Sequence, residues 1–220
     1  MTPKPLRVRT VIISDVHLGT LDCKVREVNH FLKHTRCEKL ILNGDIIDGW
    51  QLRRGARWRK QHSNFFKHLI NLTAKNKCRI IYIRGNHDDF LEEVMPFRIG
   101  NFSIRKYYIH YGVNHKYFVT HGDIFDNITT KLKWVAKLGD VGYTFLLYLN
   151  RQLNNYREKR GLPYYSLAQA VKSKVKSAVS YISDYEQQLV KVARARKCQG
   201  VICGHIHYAT IREVGSLTYV

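Results

Sequence analysis

The chain is poor in the groups that would tie it to an oxidising compartment. Its five cysteines, Cys23, Cys37, Cys78, Cys198 and Cys203, form no C-x-x-C pair and no even set. Neither a disulfide framework nor a thiolate zinc site is therefore expected, and reducing cytosol is the plain reading. Long hydrophobic runs are missing as well. The longest, Tyr143 to Leu149, has Thr144 inside it and falls far short of the roughly 20 residues of a membrane-spanning helix. Near the start, Lys4, Arg7 and Arg9 precede an apolar stretch that Ser14 and Asp15 soon interrupt, so no signal peptide is expected.

Negative charge is the third scarcity. Against 17 Asp and Glu stand 37 Lys and Arg, a formal charge of +20, which favours polyanionic partners: nucleic acid, an anionic lipid surface or a phosphorylated substrate. Half of that excess lies between Asn127 and Lys197, where 14 Lys or Arg meet four Asp or Glu.

What is present suffices for one core. A chain of 220 residues, 45% of them hydrophobic, buries a sizeable core, and its regular strand-then-helix spacing reads as a single domain, 1–220. Strand-like runs at Thr10 to Ser14, Lys39 to Asn43 and Arg79 to Arg84 alternate with helical patterns near Lys24 to Thr35 and Gln61 to Asn76, which is α/β organisation. Short runs at Phe102 to Arg105, Tyr107 to Tyr111 and Lys116 to Thr120 predict antiparallel strands of a second sheet, with a turn at Val113-Asn114-His115. From Ile128 to Ala195 the spacing becomes helical, with Leu132, Val135 and Leu138, then Leu167, Ala170, Val171 and Val175, interrupted by Gly161-Leu162-Pro163. This stretch reads as a helical cap insertion, about 127–197. Gly200 to Cys203 returns to strand, and Tyr208 to Arg212 with Ser216 to Val220 predicts a hairpin around Gly215.

Five short polar motifs sit at the ends of the apolar runs: Asp15-Val16-His17, Gly44-Asp45, Gly85-Asn86-His87-Asp88, His121-Gly122-Asp123 and Gly204-His205-Ile206-His207. Two adjacent divalent cations sharing an attacking hydroxide need hard oxygens, imidazole nitrogens and one carboxylate placed to bridge them. Asp15, His17, Asp45, Asn86, His121, His205 and His207 supply that inventory as seven potential ligands, and strand ends of an open α/β sheet are where sites gather. Gly44 and Gly85 each precede one of them, as a chain turning sharply off a strand requires. In an extended Gly204-to-His207 segment both imidazoles would share a face while Ile206 pointed into packing. His30, His34, His62, His68, His110 and His115 have no such context and read as ordinary surface or core histidines.

The order D-x-H, G-D, G-N-H-D, H-G-D and G-H-x-H resembles the calcineurin-like metallophosphoesterase superfamily over Asp15 to His207. Within it, the runs Ile13-Ser14-Asp15-Val16-His17-Leu18-Gly19 and Asn43-Gly44-Asp45-Ile46-Ile47-Asp48-Gly49-Trp50 are similar to the UDP-2,3-diacylglucosamine hydrolase (diphosphatase) branch of lipid A synthesis. The resemblance implies a four-layer α/β sandwich, two mixed β-sheets flanked by helices. It implies two divalent metal ions, Mn2+ in that family: Asp15, His17 and His207 on one, Asn86, His121 and His205 on the other, and Asp45 bridging. Water would then attack phosphorus and release UMP and a lipid monophosphate. His87 is expected to stabilise the transition-state oxyanion or protonate the leaving group, with Asp88 holding its imidazole. Two departures bear on the substrate rather than the reaction. His87 stands where the lipid A hydrolases carry arginine, and Ile124-Phe125-Asp126-Asn127 replaces further acidic residues after H-G-D.

After the bridging Asp45, the segment Gln51 to Lys60 places Arg53, Arg54 and Arg57 where they would hold a diphosphate, together with Asn86; a solvated basic loop is the competing reading. In the cap, seven tyrosines and Trp134 interleave with basic residues. That composition suits an anionic membrane surface or acyl chains, single-stranded nucleic acid, or ordinary helix packing. The expectation is therefore a hydrolase of a nucleotide-linked lipid, cytoplasmic and peripheral on the inner membrane's cytoplasmic face. A phosphodiesterase of nucleic acid or a soluble nucleotide and a noncatalytic metal-stabilised binding module are the alternatives.

Overall fold

The computed structural model describes residues 4–123, 133–166, 176–207 and 209–220. The chain divides into two compact units, Met1–Ile124 with Leu189–Val220, and Phe125–Gln188.

In the first unit, one sheet contains β1 (Leu6–Ile13), β2 (Thr35–Asn43), β3 (Arg79–Ile83), β4 (Phe97–Ile99) and β5 (Phe102–Arg105), in the order β1-β2-β3-β5-β4. All neighbours are parallel except the edge pair β4 and β5. Helices α1 (Val25–Lys33), α2 (Gly49–Arg53) and α3 (Lys60–Asn76) lie between these strands in sequence. The uninterrupted apolar run of β2 has a physical cause: both faces of the strand are covered. Leu40 and Leu42 join Leu32 of α1 and Phe65, Leu69 and Leu72 of α3 in one core. Ile41 instead joins Ile81, Ile83 and Val119 in a second. Phe65, Leu69 and Leu72 recur at four and three residues, one stripe of α3. Burying each such side chain contributes about 2 kcal/mol.

The second sheet contains β6 (Tyr107–Tyr111), β7 (Lys116–Thr120), β8 (Gly200–Ile202), β9 (Arg212–Val214) and β10 (Leu217–Tyr219), in the order β6-β7-β8-β10-β9. The two sheets meet through Ile41, Ile81, Ile83 and Val119, and the Asn43 amide ties β2 to β7 by donating to the Thr120 carbonyl at 3.1 Å. The protein is thus an α/β fold with two mixed sheets flanked by helices.

One strand differs from expectation. Phe102 to Arg105 does not join the second sheet but pairs parallel with β3 in the first, and the chain crosses between sheets at Lys106. Alternation of apolar residues marks a strand but says nothing about its partner.

The second unit holds α4 (Lys133–Lys159) and the start of α5 (Lys176–Ala195). After α4 the chain folds back on its last turns. Asn154 exchanges hydrogen bonds with the main chain of Tyr165 at 2.7 and 2.8 Å, and Arg157 Nε donates to the Pro163 carbonyl at 3.0 Å. Leu132, Leu167, Ala170, Val171, Val175 and Tyr208 lie outside the described residues. The end of α5, Leu189 to Ala195, belongs to the first unit. No described helix is long and apolar enough to cross a membrane.

Candidate active site

Strand ends of both sheets deliver the polar motifs to one place. Asp15 and His17 follow β1, Asp45 follows β2, Asn86 and His87 follow β3, His121 follows β7, and His205 and His207 follow β8. Main-chain hydrogen bonds zip the loops together: Asp15 N to Gly44 O, His17 N to Asp45 O and Gly204 N to His121 O, at 2.9 to 3.1 Å. Asp15, His17, Asp45, His205 and His207 all have φ between 49° and 71°. Left-handed backbone at residues other than glycine costs of order 1 kcal/mol each and clusters at functional sites. Gly44 also has positive φ, and a Cβ there would strike the His121 ring; at Gly85 bulk alone matters, since a Cβ would strike the Asp45 carboxylate.

The positive φ of His205 and His207 corrects one expectation. The segment is not extended: Ile206 N reaches back to the Gly204 carbonyl at 2.8 Å, and a tight turn, not strand alternation, aims the two imidazoles.

Three side-chain groups result, each with donor atoms within 4.8 Å of one another: Asp15, His17 and His207; Asp45, His121 and His205; and His17, Asp48 and His87. In the first, His207 Nε2 lies 3.1 Å from Asp15 Oδ1 and 3.4 Å from His17 Nε2. In the second, His121 Nε2 lies 3.1 Å from Asp45 Oδ2 and 3.3 Å from Asn86 Oδ1. Asp45 joins the two, because the same Oδ2 is 3.8 Å from His17 Nε2. His121 is fully buried, and its Nδ1 faces the Asn43 carbonyl at 3.1 Å. That contact places a proton on Nδ1 and turns Nε2 toward Asp45 and Asn86.

Asp48, rather than Asp88, places its carboxylate beside the His87 imidazole. Its Oδ2 stands 3.1 Å from His87 Nδ1 and 3.3 Å from His17 Nδ1, while Oδ1 accepts from Gln51 N at 2.8 Å and caps α2. Asp88 points away from the imidazole into the protein. Its carboxylate accepts from the amides of Ile46 and Ile47 at 3.1 and 2.8 Å and from the Tyr82 hydroxyl at 3.0 Å. The buried amides after Asp45 would otherwise be unpaired. The acid two residues past Asn86 thus supports the Asp45 turn, and the acid three residues past Asp45 lies beside His87. The G-D-x-x-D spacing was the signal available for it.

The electrostatics follow this geometry. Burial opposes ionisation of Asp15, Asp45 and Asp48, yet the histidines beside each hold all three carboxyls below the ordinary range. Burial likewise opposes protonation of His121, but Asp45 and Asp15 raise it to about 9. His87 is also raised: against burial, the charges of Asp48, Asp45 and Asp88 win. For Asp88, burial and the charge of Asp45 push the carboxyl up to about 7 in spite of its three donors. Ionised carboxylates drawing positive charge, with imidazole nitrogens converging on them, form a mixed N/O donor set that fits hard or borderline divalent cations.

Of the arginines expected at the substrate, Arg53 pairs with Asp89. Arg54 closes α2 and Arg57 follows it, both exposed. Trp50 was not singled out from the sequence, although its ring packs on His87 with centroids 4.2 Å apart.

A two-sheet α/β sandwich whose strand ends gather carboxylates and imidazoles defines the metallophosphoesterase class. The model of the calcineurin-like phosphoesterase family matches residues 8–209, and the chain belongs to that family. No curated protein matches the sequence. Among solved structures, a single mutant of vacuolar protein sorting 29 from Entamoeba histolytica is similar at 12% identity and TM-score 0.44, over 96% of this chain and 71% of that one. Vacuolar protein sorting 29 from Cryptosporidium parvum gives 10%, 0.42, 96% and 71%. A conserved uncharacterised protein, a predicted phosphoesterase, from Streptococcus pneumoniae gives 14%, 0.37, 96% and 68%.

Proposed function

We propose that this chain is a two-metal hydrolase of a phosphoric anhydride, with UDP-2,3-diacylglucosamine or a related nucleotide-linked lipid as substrate and UMP and a lipid monophosphate as products. The observation that carries the reaction type is the Asp45 carboxylate, whose Oδ2 faces His121 at 3.1 Å and His17 at 3.8 Å, the placement a bridging ligand needs. Asp15, His17 and His207 would hold one ion, Asn86, His121 and His205 the other. Two divalent cations, Mn2+ first given the mixed donor set, would supply Lewis acidity to the phosphoryl oxygen and acidify water.

The remaining work falls to side chains. With Nδ1 of His87 beside the Asp48 carboxylate, Nε2 is the nitrogen placed to meet charge developing on a phosphoryl or leaving-group oxygen. Arg54 and Arg57 are the candidates for a second phosphate. The charge of +20 supports an anionic membrane surface as the place of action, cytoplasmic and peripheral. The same charge also supports a phosphodiesterase acting on nucleic acid or a soluble nucleotide.

Manganese-loaded protein assayed against UDP-2,3-diacylglucosamine, bis-p-nitrophenyl phosphate and single-stranded DNA separates these readings. Release of UMP from the lipid is the expected result. Turnover of DNA alone would shift the assignment to a nuclease, and no turnover by fully loaded protein would leave a binding module.

A further inference from the structure

The indole of Trp50 is held in place and yet open. Gly49 N donates to the His87 carbonyl at 3.0 Å, and a Cβ at Gly49 would come within 2.9 Å of that oxygen and of the Phe90 ring. Only glycine lets α2 start this close to the motif after β3. The next residue is therefore delivered onto the His87 imidazole, with ring centroids 4.2 Å apart and planes tilted by 33°. Asp89 fixes the ring's direction by accepting from Trp50 Nε1 at 3.3 Å, and its other oxygen is paired with Arg53. Asp48 adds the cap that anchors α2.

A ring so constrained would ordinarily be buried, but Trp50 keeps 38% of its surface exposed. Among the described residues, His87 is the one ring packed on it. Scattered exposed aromatics need no explanation. A rigid, preorientated indole beside the group proposed to meet the phosphoryl oxygen is different, since stacking on it costs little conformational entropy.

We infer that Trp50 is a specificity-determining residue whose open face stacks the base of a nucleoside phosphate while the phosphate lies at the histidine cluster. The inference rests on the phosphoesterase reading and deepens it. The base is read by its flat face, the ribose passes the edge of the Trp50–His87 stack, and Arg53, already neutralised by Asp89, serves to brace the indole rather than to hold phosphate. Stacking of this kind accepts any base, because each presents a π-face.

The test compares UMP with ribose 5-phosphate, which share the sugar phosphate and differ in the base. Dissociation constants are measured by calorimetry on manganese-loaded wild type, Trp50→Ala and Trp50→Phe, and UMP quenching of Trp50 fluorescence is followed in a Trp58→Phe, Trp134→Phe background. Wild type is expected to prefer UMP by about tenfold, with quenching. Trp50→Ala should lose that preference while binding ribose 5-phosphate as before, and Trp50→Phe should restore most of it. Equal affinity for the two ligands in wild type, or a preference that survives Trp50→Ala, would overturn the inference. So would an equal loss for both ligands in Trp50→Ala, which would make the ring a support for His87 only. Failure of the parent reading has a separate signature, protein that takes up no metal, and the fluorescence titration decides the base platform in that sample too.

Discussion

The carboxylate of Asp48 stands 3.1 Å from Nδ1 of His87, and the same oxygen lies 3.3 Å from Nδ1 of His17. One buried charge therefore stands beside an imidazole proposed as a metal ligand and another proposed to act on the substrate. Asp48→Asn keeps an α2 cap but removes the charge between the rings. Activity or metal affinity should fall by about 10- to 100-fold, read from kcat and from metal content at saturation. Unchanged kcat and full metal in Asp48→Asn would show the contact to be incidental.

Asp45 and His87 should separate metal binding from rate. Asp45→Ala is expected to lose both bound metal and activity, because the carboxylate lies between His121 and His17 of the two clusters. His87→Ala is expected to keep its metal and lose about 10²- to 10⁴-fold in kcat. Elemental analysis alongside kinetics checks both, and full activity in His87→Ala would remove that residue from the mechanism.

Metal should also stabilise the fold. At 100 times the dissociation constant, a ligand that binds only the native state adds about 2.7 kcal/mol. Thermal melts with and without Mn2+ should differ for the wild type and coincide for Asp45→Ala. A melting temperature in wild type that ignores metal and chelator would contradict the donor-set reading.

Asp88 is predicted to matter for stability. Its removal leaves the amides of Ile46 and Ile47 and the Tyr82 hydroxyl without their partner, so Asp88→Ala should cost about 3 kcal/mol or more, seen as a lower urea midpoint. If the variant kept its midpoint and lost only rate, Asp88 would be acting on His87 after all.

His62 gives a pH dependence remote from the metal cluster. It is fully buried, accepts from Arg59 N at 3.2 Å and has Nε2 3.5 Å from Cys23 Sγ. Burial, with the charge of Arg59, lowers its pKa below the ordinary 6.5. The unfolded chain therefore takes up a proton below pH 6.5 that the folded chain refuses, and stability drops as pH falls through that window. Urea midpoints at about pH 7.5 and about pH 5.5 should differ less in His62→Gln than in wild type. An identical difference in the two proteins would assign the effect to other groups.

Much of the architecture is legible because local pattern and tertiary role agree. The apolar run of β2 reads as a strand, and its double-sided burial explains why it does not alternate. The donor types at successive strand ends are legible for a similar reason, as only a narrow set of side chains would suit two neighbouring cations. Asp48 and Asp88 show the limit. Each lies within three residues of a proposed ligand, and which of them meets His87 depends on where two turns direct their carboxylates. Phe102 to Arg105 shows another, since pairing partners are not written in alternation.

From sequence alone came the chemical class: oxygen and imidazole donors spaced after β-prone runs, an excess of positive charge, and the alternation of an α/β chain. These survive any detail of packing because they depend on composition and on short-range order. The fold alone decided which acid stands beside which histidine, that His205 and His207 are aimed by left-handed backbone, and that Gly49 sets Trp50 against His87. The first and last of those outcomes are contacts between segments far apart in the chain, settled by steric fit and by the pairing of buried polar groups, and the second is a tight turn whose His205 amide donates to Asp15 at 3.2 Å.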